Sequence, residues 1–302
     1  MAKLQMIIST PPKRHIACKL RAFADIMRAD KPIGTFLLLA PTLWALILAN
    51  GGLPPWHLLA IFVGGAIIMR SAGCTANDLA DRALDGLVER TRNRPLVTGA
   101  LTVREALLLL SVLLLAALGL VLLTNHLTVQ LSFIGAALAV AYPFMKRITY
   151  LPQVVLGAAF SWSIPMAFSA STNSLPVALW WLFAANLLWT VIYDTQYAMV
   201  DREDDLAAGI KSTAILFGQL DRRIIGLLQL ACLLCFIACG RAFALSAPWY
   251  LAVTIVGFLF AWHQHLIRHR DREACFKAFN QSKWIGAIIF AGLVGHFALT
   301  GV

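Results

Sequence analysis

The chain has 302 residues, 60% hydrophobic and only 13% charged, with 25 Lys and Arg against 15 Asp and Glu for a net charge of +10. Soluble domains carry roughly 25% charged residues, so this composition, with a mean hydropathy of +0.75, excludes a soluble globular protein and marks an integral membrane protein. The basic excess does not point to nucleic acid, because the bases form no groove interleaved with aromatics.

Residues 1–24 form a basic N-terminal segment with no acid before Asp25. It faintly resembles a mitochondrial transit peptide but is short and poor in Ser, and it lacks the apolar stretch of a cleaved secretory signal. The expected location is a bacterial inner membrane, with a mitochondrial inner membrane as the alternative. Residues 25–302 read as a single intramembrane domain. Hydrophobic stretches follow near 34–50, 57–76, 106–124, 127–144, 151–170, 177–196, 223–240, 246–265 and 284–300. Most approach the ~20 residues that a helix needs to cross the hydrocarbon core. They lack strand-like alternation, so the expected fold is all-α, with nine transmembrane helices.

Lysine and arginine give an independent test, since cytoplasmic connections should carry them. With the N-terminus inside and the C-terminus outside, 24 of the 25 bases fall in the alternate segments 1–33, 70–104, 146–147, 197–223 and 268–283, and only Arg241 does not. Trp56, Trp180, Trp181, Trp249 and Trp284 are expected near span ends, and Trp44, Trp162 and Trp189 deeper. Cys232, Cys235 and Cys239 share an apolar helix face without a basic partner, and read as small packing residues rather than a redox or zinc site. His263, His265 and His269 near a helix end read as interfacial rather than metal-binding.

Nine of the fifteen acids fall in two clusters, Asp78-Asp81-Asp85-Glu89 and Asp194-Asp201-Glu203-Asp204-Asp205, each closing a hydrophobic run. Carboxylates so close together repel one another and are costly near lipid unless a cation sits between them. Asn77, Asp78, Asp81 and Asp85 share one helix face, with Arg70 and Cys74 on the same stripe. Asp194, Tyr197, Asp201 and Asp205 repeat that logic. The second and sixth spans run in the same direction, so the two motifs are expected to face each other across a central cavity opening to the cytoplasm, as in a parallel repeat. The bland alternative is a salt-bridged cap, with Arg82, Arg90, Arg202 and Lys211 neutralising the acids locally. Magnesium suits the oxygen ligands, and the bases Arg92, Arg94, Lys146, Arg147 and Lys211 would suit an anion, together describing a diphosphate site. The chain has no Gly-x-x-x-x-Gly-Lys-Ser/Thr loop to suggest a nucleotide. A cation transporter is the competing class, although its acids would be expected near the midplane on broken helices.

Asn77-Asp78-x-x-Asp81-x-x-x-Asp85 and Asp194-x-x-Tyr197-x-x-x-Asp201-x-x-x-Asp205 resemble the paired aspartate motifs of the UbiA superfamily of intramembrane aromatic prenyltransferases. The segments 28–35, 90–96, 142–147, 152–157, 162–168, 194–201 and 209–218 are similar to its 4-hydroxybenzoate polyprenyltransferase branch in particular. The resemblance runs from about 25 to 290. One departure is Asn280-Gln281-Ser282-Lys283-Trp284, where that branch more often has an Asn-rich run.

The resemblance implies Mg²⁺-dependent transfer of a polyprenyl group from its diphosphate to the ring carbon ortho to the hydroxyl of 4-hydroxybenzoate, releasing diphosphate, in ubiquinone biosynthesis. Other acceptors in the same class would be a dihydroxynaphthoate, homogentisate or a porphyrin. The implied metal ligands are Asn77, Asp78, Asp81, Asp85, Asp201 and Asp205, with Arg94, Lys146, Arg147 and Lys211 on the diphosphate. Tyr142, Phe144, Phe160, Trp162, Tyr193 and Tyr197 are candidates to line the path of an allylic cation. Asp194, deeper than Asp201 and set beside Tyr197, is the candidate catalytic base, or else another metal ligand. Arg70 is the candidate for the acceptor carboxylate, or else a neutraliser of Asp81. The partners implied are an isoprenoid diphosphate, an aromatic acid and membrane lipid. No obligate protein partner is evident.

Overall fold

The computed structural model describes residues 12–83, 85–87 and 91–301. Glu89 and Arg90, which belong to the first acidic cluster and its basic flank, lie outside the described residues, as does the start of the basic N-terminal segment. Among the described residues every regular element is a helix. The long ones are α2 (Ile33–Asn50), α3 (Trp56–Asp81), α4 (Val103–Val121), α5 (His126–Ile148), α8 (Leu179–Val200), α11 (Asp221–Ala242), α12 (Ala247–Leu266) and α13 (Arg272–Thr300). Between them lie α6 (Pro152–Ser161), α7 (Ser163–Thr172), α9 (Arg202–Ala207) and α10 (Thr213–Phe217), and α1 (Pro12–Ile26) precedes them all.

Eight helical segments among the described residues are long and apolar enough to cross a membrane, with α6 and α7 counting as one. The 22-residue α8 is not among the eight. It carries Asn186, Asp194 and Gln196 together with three Trp and two Tyr, which lower its hydropathy while leaving it long enough to span. Local chemistry sets several ends. Thr102 and Glu105 form a capping box at the start of α4, and Asn125 caps α5. The fifth hydrophobic stretch is not one helix: Pro165 cannot donate to the Ser161 carbonyl and its ring crowds it, so the chain breaks at Trp162.

That break shapes the bundle. α6 packs on α5 and α8, whereas α7 leans across onto α2. The helices α2, α3, α5, α6, α8 and α13 follow one another in contact, with α4 outside against α3 and the pair α11 and α12 behind α8 and α13. The main core lies between these helices and α2, where Trp189, Trp44, Phe236 and Trp249 are fully buried and touch one another in that order, tilted or edge to face, with ring centroids 5.4 to 5.9 Å apart. The indole of Trp44 donates to the Gly286 carbonyl at 3.1 Å, and a Cβ on Gly286 would sit 2.8 Å from that of Ala40. Such close crossings replace the hydrophobic drive that lipid cannot supply between helices.

Trp56, Trp180 and Trp181 are exposed near helix ends as expected, but Trp249 is a core residue, its indole donating to the Phe236 carbonyl at 3.0 Å. Trp284 is exposed well inside α13, because that helix begins twelve residues before it. Cys232 and Cys239 are buried, all six thiols are free, and Cys232 donates to the Ala185 carbonyl. His263 is buried, and His265 stacks on Trp262. The boundary at residue 24 falls inside α1, whose Ala22 and Ile26 pack with Leu79, Leu101 and Ala106, while Lys19 pairs with Glu105.

Candidate active site

Helical spacing places Asn77, Asp78 and Asp81 on one face of the last turns of α3, and a 3-10 turn at Asp85–Leu87 brings Asp85 back beside them. The three carboxylates are almost wholly buried, at 1%, 1% and 6% exposure. Charges so enclosed need partners, and distant segments supply them. Arg94 donates to Asp85 at 2.6 Å and lies 3.1 Å from Asp78. Arg28 donates to Asp78 at 2.8 Å, Lys146 at the end of α5 pairs with Asp81, and Arg147 lies 3.7 Å from Asp81. Arg28 adopts a left-handed backbone (φ 58°) just beyond α1, a conformation that a non-glycine residue holds only when its surroundings compensate. Burial pushes the Asp85 carboxyl above its ordinary pKa, with Arg94 opposing.

Two oxygens in this group, Asp78 Oδ2 and Asp81 Oδ1, are buried without a hydrogen-bond partner. Buried carboxylate oxygens left in that state on a cavity wall fit a site made to receive a cation. Among the described residues, however, no three His, Cys, Asp or Glu side chains gather into a ready-made metal cage. The donor set fits Mg²⁺, which takes one or two carboxylates and completes its shell with water and phosphate oxygens.

Across the cavity, α8 carries Asp194, Tyr193 and Tyr197 to the wall, Asp201 forms its C-cap, and α9 adds Asp204 and Asp205. Asp194 lies seven residues before Asp201, two helical turns deeper. Arg70 on α3 is within electrostatic reach of Asp194. It does not neutralise Asp81, which Lys146 holds. Its Nε is buried without a hydrogen bond, and its guanidinium lies so close to α2 that a Cβ on Gly34 would stand 2.3 Å from it. Gly34 therefore seats Arg70.

These groups line one cavity of about 1350 Å³. Asn77, Asp78, Asp81, Asp85, Asp194, Tyr197, Asp201, Asp205, Arg94, Lys146, Lys211 and Arg70 are all on its wall. Arg147 is not: it donates to the Ala80 carbonyl behind Asp81. Lys211 donates to the Ile148 carbonyl at 3.1 Å and lies over the Tyr150 ring. Tyr142, Phe160, Trp162, Tyr193 and Tyr197 line the deeper wall, whereas Phe144 is 44% exposed on the outside of α5. Of the bases that could neutralise the acids locally, Arg90 lies outside the described residues, Arg82 donates to the Leu79 carbonyl at 3.5 Å and Lys211 to that of Ile148. Arg202 pairs with Asp221 instead, and the cations on the first cluster come from other segments.

Sequence spacing missed Arg28 as a member of the site. The only signal was its place at the head of the 28–35 segment. It also missed Phe276, Phe279, Asn280 and Lys283, which recur every three or four residues along the cavity face of α13. Phe279 packs 4.8 Å from Tyr197, closing that side of the cavity.

This arrangement has known relatives. A solved structure described as the apo form of a UbiA homologue from Aeropyrum pernix superposes with a TM-score of 0.77 at 25% identity, covering 86% of this chain and 97% of that one. A UbiA homologue from Archaeoglobus fulgidus, bound to GPP and Mg²⁺, gives 0.69 at 16% identity over 91% and 99% of the two chains, a likeness of fold. The 4-hydroxybenzoate octaprenyltransferase of Saccharophagus degradans is 55% identical over 95% of this chain and 96% of its own length. The UbiA prenyltransferase family profile matches residues 38–290, and the chain belongs to that family.

Proposed function

We propose that this chain is a Mg²⁺-dependent 4-hydroxybenzoate polyprenyltransferase of ubiquinone biosynthesis, with an octaprenyl diphosphate as the donor that its 55% identical relative suggests. The observation that carries this reading is the opposition of two acid-bearing helix ends, α3 and α8, across one cavity whose deeper wall is aromatic. In this reading Asn77, Asp78, Asp81, Asp85, Asp201 and Asp205 hold Mg²⁺ together with the donor's diphosphate, a role supported by the Mg²⁺-bound relative. The bound metal would offset the charge that develops on the leaving diphosphate.

Arg94, Lys146 and Lys211 are placed to turn from carboxylate or carbonyl partners to phosphate oxygens as the donor arrives, and Arg28 to keep Asp78 in register. Arg147 stands behind Asp81 and acts on the diphosphate only through it. The bond between the allylic carbon and the diphosphate oxygen breaks with its electron pair going to the diphosphate. Tyr142, Phe160, Trp162, Tyr193 and Tyr197 exclude water and present π faces to the allylic cation. Asp194 accepts the phenol proton, which raises electron density at the ortho carbon that forms the new bond; the departing diphosphate takes that carbon's ring proton, and Asp194 returns its proton to the phenolate oxygen. Arg70 takes the acceptor carboxylate as a charge-assisted pair. In Asp194→Asn, turnover should fall about 10²-fold while donor binding persists, the low end for loss of a general base. Loss of donor binding as well would make Asp194 a metal ligand.

The same reading counts α8 as a ninth span. It sets the N-terminus and the acid-bearing end in the cytoplasm of a bacterial cell, with the C-terminus outside, since 24 of the 25 bases fall on the alternate connections. Purified membranes containing the chain, given 4-hydroxybenzoate and a short allylic diphosphate, should form prenylated benzoate with Mg²⁺ and none with EDTA. Product on homogentisate or a dihydroxynaphthoate but not on 4-hydroxybenzoate would move the assignment to another acceptor.

A further inference from the structure

Asp221, the first residue of α11, lies at the acid-bearing end of the bundle, is wholly buried, and takes no part in the cavity. Three segments converge on its carboxylate. Arg202, the first residue of α9, donates to Oδ2 at 2.5 Å. Arg270, in the turn between α12 and α13, donates through Nε and its terminal nitrogen at 2.8 to 3.1 Å. The backbone N–H of Arg222 donates to Oδ1 at 2.6 Å. Each arginine also holds a carbonyl of the turn before α11: Arg202 that of Gly218 at 3.4 Å, and Arg270 that of Gln219 at 2.8 Å. Arg270 does so from a left-handed backbone (φ 62°), as Arg28 does when it grips Asp78. A second tie runs in parallel, Arg272 to Glu203 at 3.1 Å and to Asp204 at 3.6 Å.

Arg202 follows Asp201 directly, and α9 carries Asp205 three residues later. α9 has only six residues and none of them is buried, so apolar packing does not set its position. Polar ties hold it, Arg202 to Asp221 and Arg272 to Glu203 and Asp204. A buried carboxylate shared by two guanidiniums has few alternative geometries, since releasing either leaves an uncompensated buried charge. We propose that Asp221 is a positioning residue for the prenyl transfer: through Arg202, and braced by Arg270, it fixes the angle at which Asp201 and Asp205 present their carboxylates to the donor's metal and diphosphate. The inference rests on the reading of those two acids as the donor side of the site.

The test is the kinetics of full-length Asp221→Asn, Arg202→Gln and Arg270→Gln in membranes, with Asp205→Asn as the reference for the site itself. Each of the three clamp variants should raise the donor KM and the Mg²⁺ concentration for half-maximal rate about 10-fold, with the acceptor KM unchanged. Asp221→Asn combined with Arg202→Gln should be no worse than the poorer single variant. A lower melting temperature and a lower active fraction, with the donor KM and Mg²⁺ dependence unchanged, would overturn the proposal, because a merely structural contact gives that pattern. If Asp205→Asn also leaves donor KM and Mg²⁺ dependence unchanged, the reading of the acids has failed rather than the clamp. A variant that fails to accumulate is replaced by Arg270→Lys, which keeps the charge but not the forked geometry. Its donor KM should stand above the parent's with the acceptor KM unchanged, and a parental donor KM would overturn the clamp.

Discussion

The two walls of the cavity are built on different plans. On one side α3 and the α4 residues Leu114, Ala117 and Val121 line the cavity directly, and only 6% of the apolar window of α4 is buried in protein, so this wall is a single layer of helices with an exposed outer face. On the other side α8 is sheathed by α11 and α13 and shares a core in which Trp44, Trp189 and Phe236 are wholly enclosed. The thin wall keeps its acids in place with charge, drawing Arg28, Arg94 and Lys146 from three other segments. The thick wall orients Asp194 and Tyr197 by packing, with Phe279 against the Tyr197 ring. The comparison teaches that substitutions at the two walls should fail differently, one in chemistry and the other in folding.

The largest effect is expected at the thin wall. Asp78→Ala should lower prenyl transfer about 10³-fold, since a metal-ligand carboxylate contributes several kcal/mol to stabilising a leaving group. It should cost less stability than the thick-wall substitution Trp189→Ala, because Arg94 keeps Asp85 and Arg28 keeps the Asp25 carbonyl. Rate and thermal unfolding measured on the same membranes separate the two outcomes, and a large loss of stability would erase the contrast between the walls. Trp189→Ala, at the thick wall, should cost about 3 kcal/mol of stability by leaving a cavity in a rigid core. The protein that remains folded should keep its substrate KM values, and a selective rise in either KM would place Trp189 in the site.

A smaller effect sharpens the account at the deep end. Arg70→Ala should raise the acceptor KM about 10-fold, the lower range for losing a hydrogen bond to a charged group, with the donor KM unchanged. Gly34→Ala should move the acceptor KM in the same direction by a few-fold, because its Cβ would stand 2.3 Å from the Arg70 guanidinium and displace it. A rise in the donor KM instead would assign Arg70 to the diphosphate.

Much of this was legible along the chain because it is local. Carboxylates spaced one, three or four residues apart share a helix face whatever the fold, and apolar runs of span length become helices because lipid leaves the backbone no other partner. What was not legible is long-range. The pairing of Asp81 with Lys146 joins residues 65 apart, and that of Asp78 with Arg28 joins residues 50 apart. No spacing rule could choose those cations over Arg82 or Arg202. Trp249 near a helix start resembles an interfacial tryptophan until α11 is packed against it. The break at Trp162 had a local signal in Pro165, but a proline inside an apolar run is tolerated often enough in membranes that it does not announce a break.

The central claim is that the two walls meet on one metal-bound diphosphate, and a double-mutant cycle tests it most directly. Mg²⁺-dependent binding of a non-reactive allylic diphosphate analogue would be measured for the parent chain, Asp78→Asn, Asp201→Asn and the double variant. If both carboxylates serve one metal-bound diphosphate, the double variant should bind about as weakly as the weaker single one. Fully additive losses would mean that the two acids act on separate sites, and would contradict the account.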